Sequence, residues 1–253
     1  MNHTGKIVEQ KLYSCAALVE MRRQAFLDNP DDPETNHKFR VSIRTLRSLI
    51  DFTSPWLKNK KRKIMMQNLK EVVKVTSYLR ELDVLEGMVR DNEAASSELI
   101  EYCAGESLKE RQTTLDAISS PEYTELLESA LALASDLPWK KDVAKKGLKK
   151  KDVRKRFNRM VKSLQKDLKS INADDYEFVH ETRKRVKQAR YVAEQFEDIL
   201  DVQASDIADN MKSEQDRLGA ICDARVNQDI IAAFSAREDV PDTLVEELTA
   251  ILS

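Results

Sequence analysis

His37-Lys-Phe-Arg40-Val-Ser-Ile-Arg44-Thr-Leu-Arg47 is the stretch from which the organisation of this chain can be read. A second stretch, His180-Glu-Thr-Arg183-Lys-Arg-Val-Lys187-Gln-Ala-Arg190, repeats its spacing 143 positions later. In both, a histidine is followed by cations three, seven and ten residues on. An α-helix turns about 100° per residue, which gathers those four positions within about 80° of one another. The opposite side carries Phe39, Ile43, Leu46 and Ile50 in the first stretch. In the second it carries Thr182, Val186, Ala189, Ala193 and Phe196. Each stretch therefore predicts a helix with one side to bury and a narrow cationic stripe facing away from it. Solvated helix faces usually mix signs into i,i+4 pairs, so two almost purely cationic stripes of equal spacing are read as functional.

Around these stretches the composition is that of an all-α protein. Among 253 residues there are only five Gly and six Pro, and 34% are charged, which favours long helices. The length suits one large domain or two halves of ordinary size. No apolar run is long enough to cross a bilayer, and the N-terminus carries no hydrophobic signal-peptide core. Cys15, Cys103 and Cys222 are isolated and odd in number, supporting neither a disulfide framework nor a CxxC metal site. The expectation is a reduced, cytoplasmic protein with no membrane partner.

A net charge of −2 conceals strong segregation. Residues 37–80 hold twelve Lys/Arg against Asp51 and Glu71, whereas 81–138 hold fourteen acids against Arg90, Lys109 and Arg111. Residues 140–169 hold fourteen Lys/Arg against Asp142, Asp152 and Asp167. Residues 194–253 invert this again, with fifteen acids against Lys212, Arg217, Arg225 and Arg237. Basic and acidic blocks alternate twice, in step with the repeat, so an overall acidic chain concentrates positive potential locally.

Breakers and periodicity predict helices over about 6–27, 36–54 with Asn36 as N-cap, 56–92, 95–118 and 122–135. Leu137-Pro138 is the expected seam between halves of about 1–136 and 139–253. Helices at about 143–170, 175–200 and 204–233 follow, then a short one after Pro241. The helix at 143–170 has an apolar stripe through Val153, Phe157, Met160, Val161, Leu164 and Leu168. Continued backwards, that stripe meets Lys150 and Lys146 with Arg154 at its margin, as though the helix left the core for a charged cavity. The third helices also correspond: Leu79-Arg-Glu-Leu-Asp-Val84 aligns with Ile221-Cys-Asp-Ala-Arg-Val226, and Lys70 with Lys212.

The doubled His-x-x-Arg-x-x-x-Arg/Lys-x-x-Arg helix, with Leu79–Val84 and Leu218-Gly-Ala-Ile-Cys-Asp223, resembles the CHAD domain, a family named for its conserved histidine and α-helical fold. The resemblance runs from about residue 6 to residue 235. It implies two helical bundles related by pseudo-twofold symmetry around a basic pore or cavity. It further implies binding of inorganic polyphosphate and recruitment to polyphosphate granules. Lys187 departs from the first copy, which has arginine there, and the second third helix is only weakly basic.

The chemistry of such a ligand fits the residues independently. A flexible chain of phosphates offers no bases to read, so its receptor needs a dense array of Lys and Arg, with guanidinium forks engaging oxygens in pairs. The candidate set is His37, Arg40, Arg44, Arg47, Lys63, Lys70, Lys74, Lys146, Lys150, Arg154, His180, Arg183, Lys187, Arg190 and Lys212. Binders of single-stranded nucleic acid interleave aromatics with cations, because stacking is worth about 1–3 kcal/mol per base. The basic helices offer only Phe39 and Phe157, both facing inward, and Tyr191. Catalysis finds no HExxH, no HD pair, no Gly-rich phosphate loop and no Gly-x-Ser-x-Gly. The reading is a binding module without cofactor or metal, a polyphosphate-granule targeting or scaffold protein that tolerates other polyanions. The alternative is an adaptor for nucleic acid or acidic protein through the same surface.

Overall fold

The computed structural model describes residues 1–200, 203–237 and 239–252, and at Ala224 the backbone alone. Asp201 and Glu238 of the last acidic block lie outside the described residues. The chain folds as α1 (His3–Asp28), α2 (Pro33–Thr53), α3 (Asn59–Val75), α4 (Ser77–Arg90), α5 (Ser97–Ile118) and α6 (Pro121–Ser135). There follow α7 (Lys141–Lys146), α8 (Lys150–Lys169), α9 (Tyr176–Gln195), α10 (Ala204–Ser235) and α11 (Asp242–Leu252). Among the described residues there is no β-strand; a single bridge joins Leu57 to Trp139.

Local chemistry sets most of the helix ends. Asn2, Asp32, Ser96, Ser120 and Asp175 each turn a side-chain oxygen onto an orphan N–H in the first turn of the helix that follows. Asp32 replaces the expected Asn36 as the cap of α2, with Pro33 at the first helical position. Asn36 sits one turn inside, fully buried, and its Nδ2 donates to Asp83 Oδ2 at 3.4 Å.

Two predicted helices are divided. The one expected over 56–92 breaks at Thr76, whose ψ of 8° lies off the helical value. The helix expected over 143–170 breaks at Gly147, where φ is +76°, a left-handed conformation that glycine adopts without strain. A Cβ there would stand 2.5 Å from Asn2 Cγ. That close approach matters, because Asn2 also donates to Leu148 O at 2.9 Å and accepts from Leu148 N at 3.0 Å. Lys146 therefore ends the short α7 and does not continue the α8 stripe.

The apolar side of α2 is fully buried as its period requires: Phe39, Ile43, Leu46 and Ile50 are all inaccessible. Each such side chain contributes about 1.5–3 kcal/mol relative to exposure. The corresponding side of α9, through Thr182, Val186, Ala189, Ala193 and Phe196, is buried too. α1 packs on α2 and α8 on α9, while α2 and α9 pack on one another. They cross antiparallel: Gln188 near the middle of α9 donates to Asp51 near the end of α2 at 2.8 Å. At the other end, Gln195 shares a cleft with His37.

The buried clusters do not follow the seam at Leu137-Pro138. The largest joins α1, α2, α3 and α6 to Val153, Phe157 and Phe196 of the second half. Another seats Leu244, Leu248 and Leu252 of α11 against Leu85, Val89, Leu99 and Cys103. The seam is itself pinned: Lys58 N donates to Pro138 O at 2.7 Å, Lys140 N to Trp56 O at 2.9 Å, and Trp139 Nε1 to Glu9 Oε1 at 2.7 Å.

Candidate functional site

Where α2 crosses α9, their cationic stripes line one cleft of about 440 Å³. Arg44 and Arg47 enter from α2, and His180, Lys184, Arg185 and Lys187 from α9. The antiparallel crossing makes this possible, for it sets the second half of one stripe beside the first half of the other. Part of this charge is offset, for Lys184 pairs with Glu181 at 2.6 Å, Arg185 pairs with Asp167, and Asp51 lines the cleft. Burial, then Arg44 and Arg183, pull the Lys187 ammonium down to about 8. Burial and Arg44 also lower Arg47, against the opposing pull of Asp51. His180 is lowered by burial and by Lys184, with Glu181 acting the other way. Its ring stacks on Tyr176 at 5.8 Å, and its buried Nδ1 has no hydrogen-bond partner within the protein.

The cleft opens sideways into a wider one of about 560 Å³, with Asp51, Arg185 and Gln188 common to both. Here α8 contributes Lys155, Arg156 and Arg159, and the loop after α2 contributes Trp56. Asp152 of α8 also lines this wider cleft, and two further carboxylates at it are already engaged. Asp51 accepts from Gln188 and lies 3.8 Å from Arg62, while Asp167 accepts a charge-assisted bond from Arg185. Arg156 holds the C-terminus of α2, donating through Nε to Phe52 O at 2.6 Å and through Nη2 to Asp51 O at 3.4 Å. Lys155, Lys184, Arg156, Arg159 and Arg185 were not among the expected residues. The signal for them lay in the 140–169 cation block and in the two residues after Arg183, but neither fits the repeated spacing.

The other expected residues are dispersed. His37 lines a different cleft, between α1 and α2, although burial, then Arg80, Arg44 and Arg40, lower its pKa against the opposing pull of Glu34. Arg40 stitches the α3–α4 break: its Nη1 donates to Val73 O at 2.9 Å, Thr76 Oγ1 at 3.0 Å and Ser77 Oγ at 3.1 Å. Burial, then Arg44, lower it to about 10. Arg183 reaches across to α10, 3.9 Å from Asp223 Oδ1, over Gly219, where a Cβ would stand 3.2 Å from its Nη2. Arg190 lies over the Tyr191 ring at 4.9 Å and pairs with Glu194 at 3.2 Å. Arg154 donates through Nε to Ile199 O at 3.0 Å, and Lys150 donates to Asp198 O at 3.3 Å. Lys63, Lys70, Lys74, Lys146 and Lys212 are exposed to solvent on their own helices. Among the described residues, no group of three or more His, Cys, Asp or Glu is placed to hold a metal ion, and no helix is long and apolar enough to cross a membrane.

With this geometry established, comparison with known proteins places the chain. The fold is similar to that of the crystal structure of the CHAD domain from the plant Ricinus communis. That match has a TM-score of 0.80 and 20% identity, over 98% of this chain and 84% of the other. PptA from Streptomyces chartreusis is also similar, with a TM-score of 0.67 and 14% identity, over 98% of this chain and 92% of the other. At such identities the likeness is one of fold. No curated protein sequence matches the chain. The CHAD domain family itself matches residues 13–232, from within α1 to within α10, taking in both histidine helices and the cleft between them; the chain belongs to the CHAD domain family.

Proposed function

We propose that the chain binds inorganic polyphosphate in the α2–α9 cleft and acts as a targeting or scaffold module at polyphosphate granules, without catalysing a reaction. One observation carries the reading: Arg44, Arg47, Lys184 and Lys187 converge on a single cleft, where burial, then the neighbouring arginines, lower Lys187 to about 8. Crowded, half-buried cations are costly in the free protein, and a polyanion relieves that cost on binding. The wider cleft, through Arg159 and Lys155, gives a linear chain of phosphates room to continue. Family membership is consistent with this ligand.

Trp56 favours a second reading. It is half-buried at the wider cleft, packed edge-on against Phe52 at 6.1 Å, and offers a surface on which one base could stack. A competition titration of long-chain polyphosphate against single-stranded RNA and DNA at several salt concentrations decides between them. Polyphosphate is expected to win at equal phosphate, with a log–log salt slope of about 0.7–0.9 per contact, as counterion release gives on nucleic acids. Arg44→Glu with Arg47→Glu should cut its affinity by at least about tenfold and flatten that slope. Equal or tighter binding of RNA, lost in a Trp56→Ala variant, would replace the granule module with a nucleic-acid adaptor.

A further inference from the structure

The cleft that holds His37 has no part in the site above, and its chemistry is different. It lies between α1 and α2, has a volume of about 430 Å³, and shares no lining residue with the α2–α9 cleft. That size falls within the range of pockets that enclose small organic ligands. One part of it is cationic, with Arg22 from α1 and Lys38 beside His37 on α2, against the single carboxylate of Glu34. Another part is apolar, with Leu18 and Cys15 of α1 facing Val41 of α2. Two charged cations against one acid leave a net single positive charge. This suits a phosphomonoester and is too weak for a polyanion.

The hydrogen-bonding groups define the rest of the ligand. Ser42 Oγ already donates to Phe39 O at 2.6 Å and Thr45 Oγ1 to Val41 O at 3.0 Å, so both hydroxyls keep only acceptor capacity. Gln195 Oε1 receives the Cys15 thiol at 3.8 Å, which leaves the Gln195 amide NH₂ to donate. Acceptor hydroxyls beside a donor amide complement a flat ring bearing an amino group next to an unprotonated ring nitrogen. Adenine and cytosine have that edge; uracil does not.

We propose that the α1–α2 cleft is a binding site for a nucleoside monophosphate whose base carries an amino group beside an unprotonated ring nitrogen, with Arg22, Lys38 and His37 on the phosphate and Leu18, Val41 and Cys15 against the base. The site is independent of the polyphosphate reading, and each stands or falls alone.

Isothermal titration of the full chain with AMP, UMP and inorganic phosphate tests it. AMP should bind at one site per chain, at least about tenfold tighter than inorganic phosphate and severalfold tighter than UMP. Arg22→Glu, which removes the phosphate partner, and Val41→Phe, which fills the apolar part, should each weaken AMP by about tenfold or more. Leu18→Glu provides a third variant should Val41→Phe disturb the packing of α1 on α2, with circular dichroism reporting the fold. Arg47→Glu, in the other cleft, should leave AMP binding unchanged within about twofold. The proposal is overturned if AMP binds no better than UMP or inorganic phosphate. It is equally overturned if AMP affinity is lost in Arg47→Glu and kept in Arg22→Glu, which would place the nucleotide in the polyanion cleft.

Discussion

In α2 the arginine three residues after the histidine is tied by three hydrogen bonds to the break between α3 and α4, whereas in α9 its counterpart Arg183 faces the uninterrupted α10. The histidines diverge in the same way: His180 faces the α2–α9 cleft, and His37 faces the separate cleft beneath α1. Third helices set the contrast. The first is divided at the fully buried Thr76 and carries Asp83, held by Arg111 Nη2 at 2.8 Å. The second runs unbroken for 32 residues, with exposed Arg225 at the position of Asp83. Equal spacing on two helices thus does not give equal roles, because what a cation does depends on the neighbour its helix is packed against. In α2 Arg40 became part of the scaffold while Arg44 and Arg47 line the cleft; in α9 Arg183 and Arg190 meet acidic partners and Lys187 lines the cleft.

The largest expected effect tests the buried Asp83–Arg111–Asn36 network of the first half. Arg111 donates to Asp83 and, through Nη1, to Pro30 O at 2.5 Å, while Asn36 donates to the other Asp83 oxygen. Burial pushes the Asp83 carboxyl above its usual range even against the pull of Arg111. Removing the guanidinium in Arg111→Ala strands a buried carboxylate, and denaturant unfolding should show a loss of about 3–5 kcal/mol. Arg225→Ala breaks only an exposed pair with Asp229 and should stay within about 0.5 kcal/mol. Similar losses for the two would mean that the halves are held together alike, against the comparison.

The next effect falls on the matched arginines. Arg40→Ala deprives Val73 O and two hydroxyls of a charged donor at the α3–α4 junction, an expected cost of about 2 kcal/mol. For Arg183→Ala the cost should be under about 1 kcal/mol, since its partner Asp223 is exposed and 3.9 Å away. Polyphosphate affinity should be little changed by either once the folded fraction is taken into account, since neither arginine lines the α2–α9 cleft. If Arg183→Ala unfolds as readily as Arg40→Ala, the two are equivalent scaffold residues.

The smallest effect is a pH dependence. An unfolded lysine titrates near 10.4, whereas Lys187 in the fold is drawn down to about 8. Between those values the unfolded chain holds a proton that the folded chain has lost, so stability rises with pH across that window. Below about pH 8 both forms are charged and the penalty is complete. Lys187→Met should therefore stabilise the protein at pH 7 by on the order of 2 kcal/mol, an advantage that shrinks as pH rises above 8. A bound polyanion favours the ammonium, so polyphosphate affinity should strengthen as pH falls through about 8, with proton uptake. Lys187→Arg should flatten that response. If the wild-type response persists in Lys187→Arg, Lys187 does not touch the ligand and another group, such as His180, is titrating.

Local interactions were what the sequence by itself could determine. The 3.6-residue period of Phe39, Ile43, Leu46 and Ile50 marks a buried face wherever the helix ends up, and all four are buried. Few glycines and prolines dictated the all-α class, and the doubled histidine spacing was enough to identify the family. The start of α2 was misplaced by one turn, for the expectation of Asn36 passed over Asp32-Pro33, a cap followed by a first-turn proline. Tertiary structure alone decided which cations share a site. The break at Thr76 carries no proline or glycine; a guanidinium from another helix supports it. Arg159 joins Arg185 because α8 packs beside α9, and His37 parts from His180 because α2 and α9 cross antiparallel. Spacing along one helix fixes the direction in which a side chain leaves it. What that side chain meets is set by the crossing of helices, which depends on how buried faces far apart in the chain fit together.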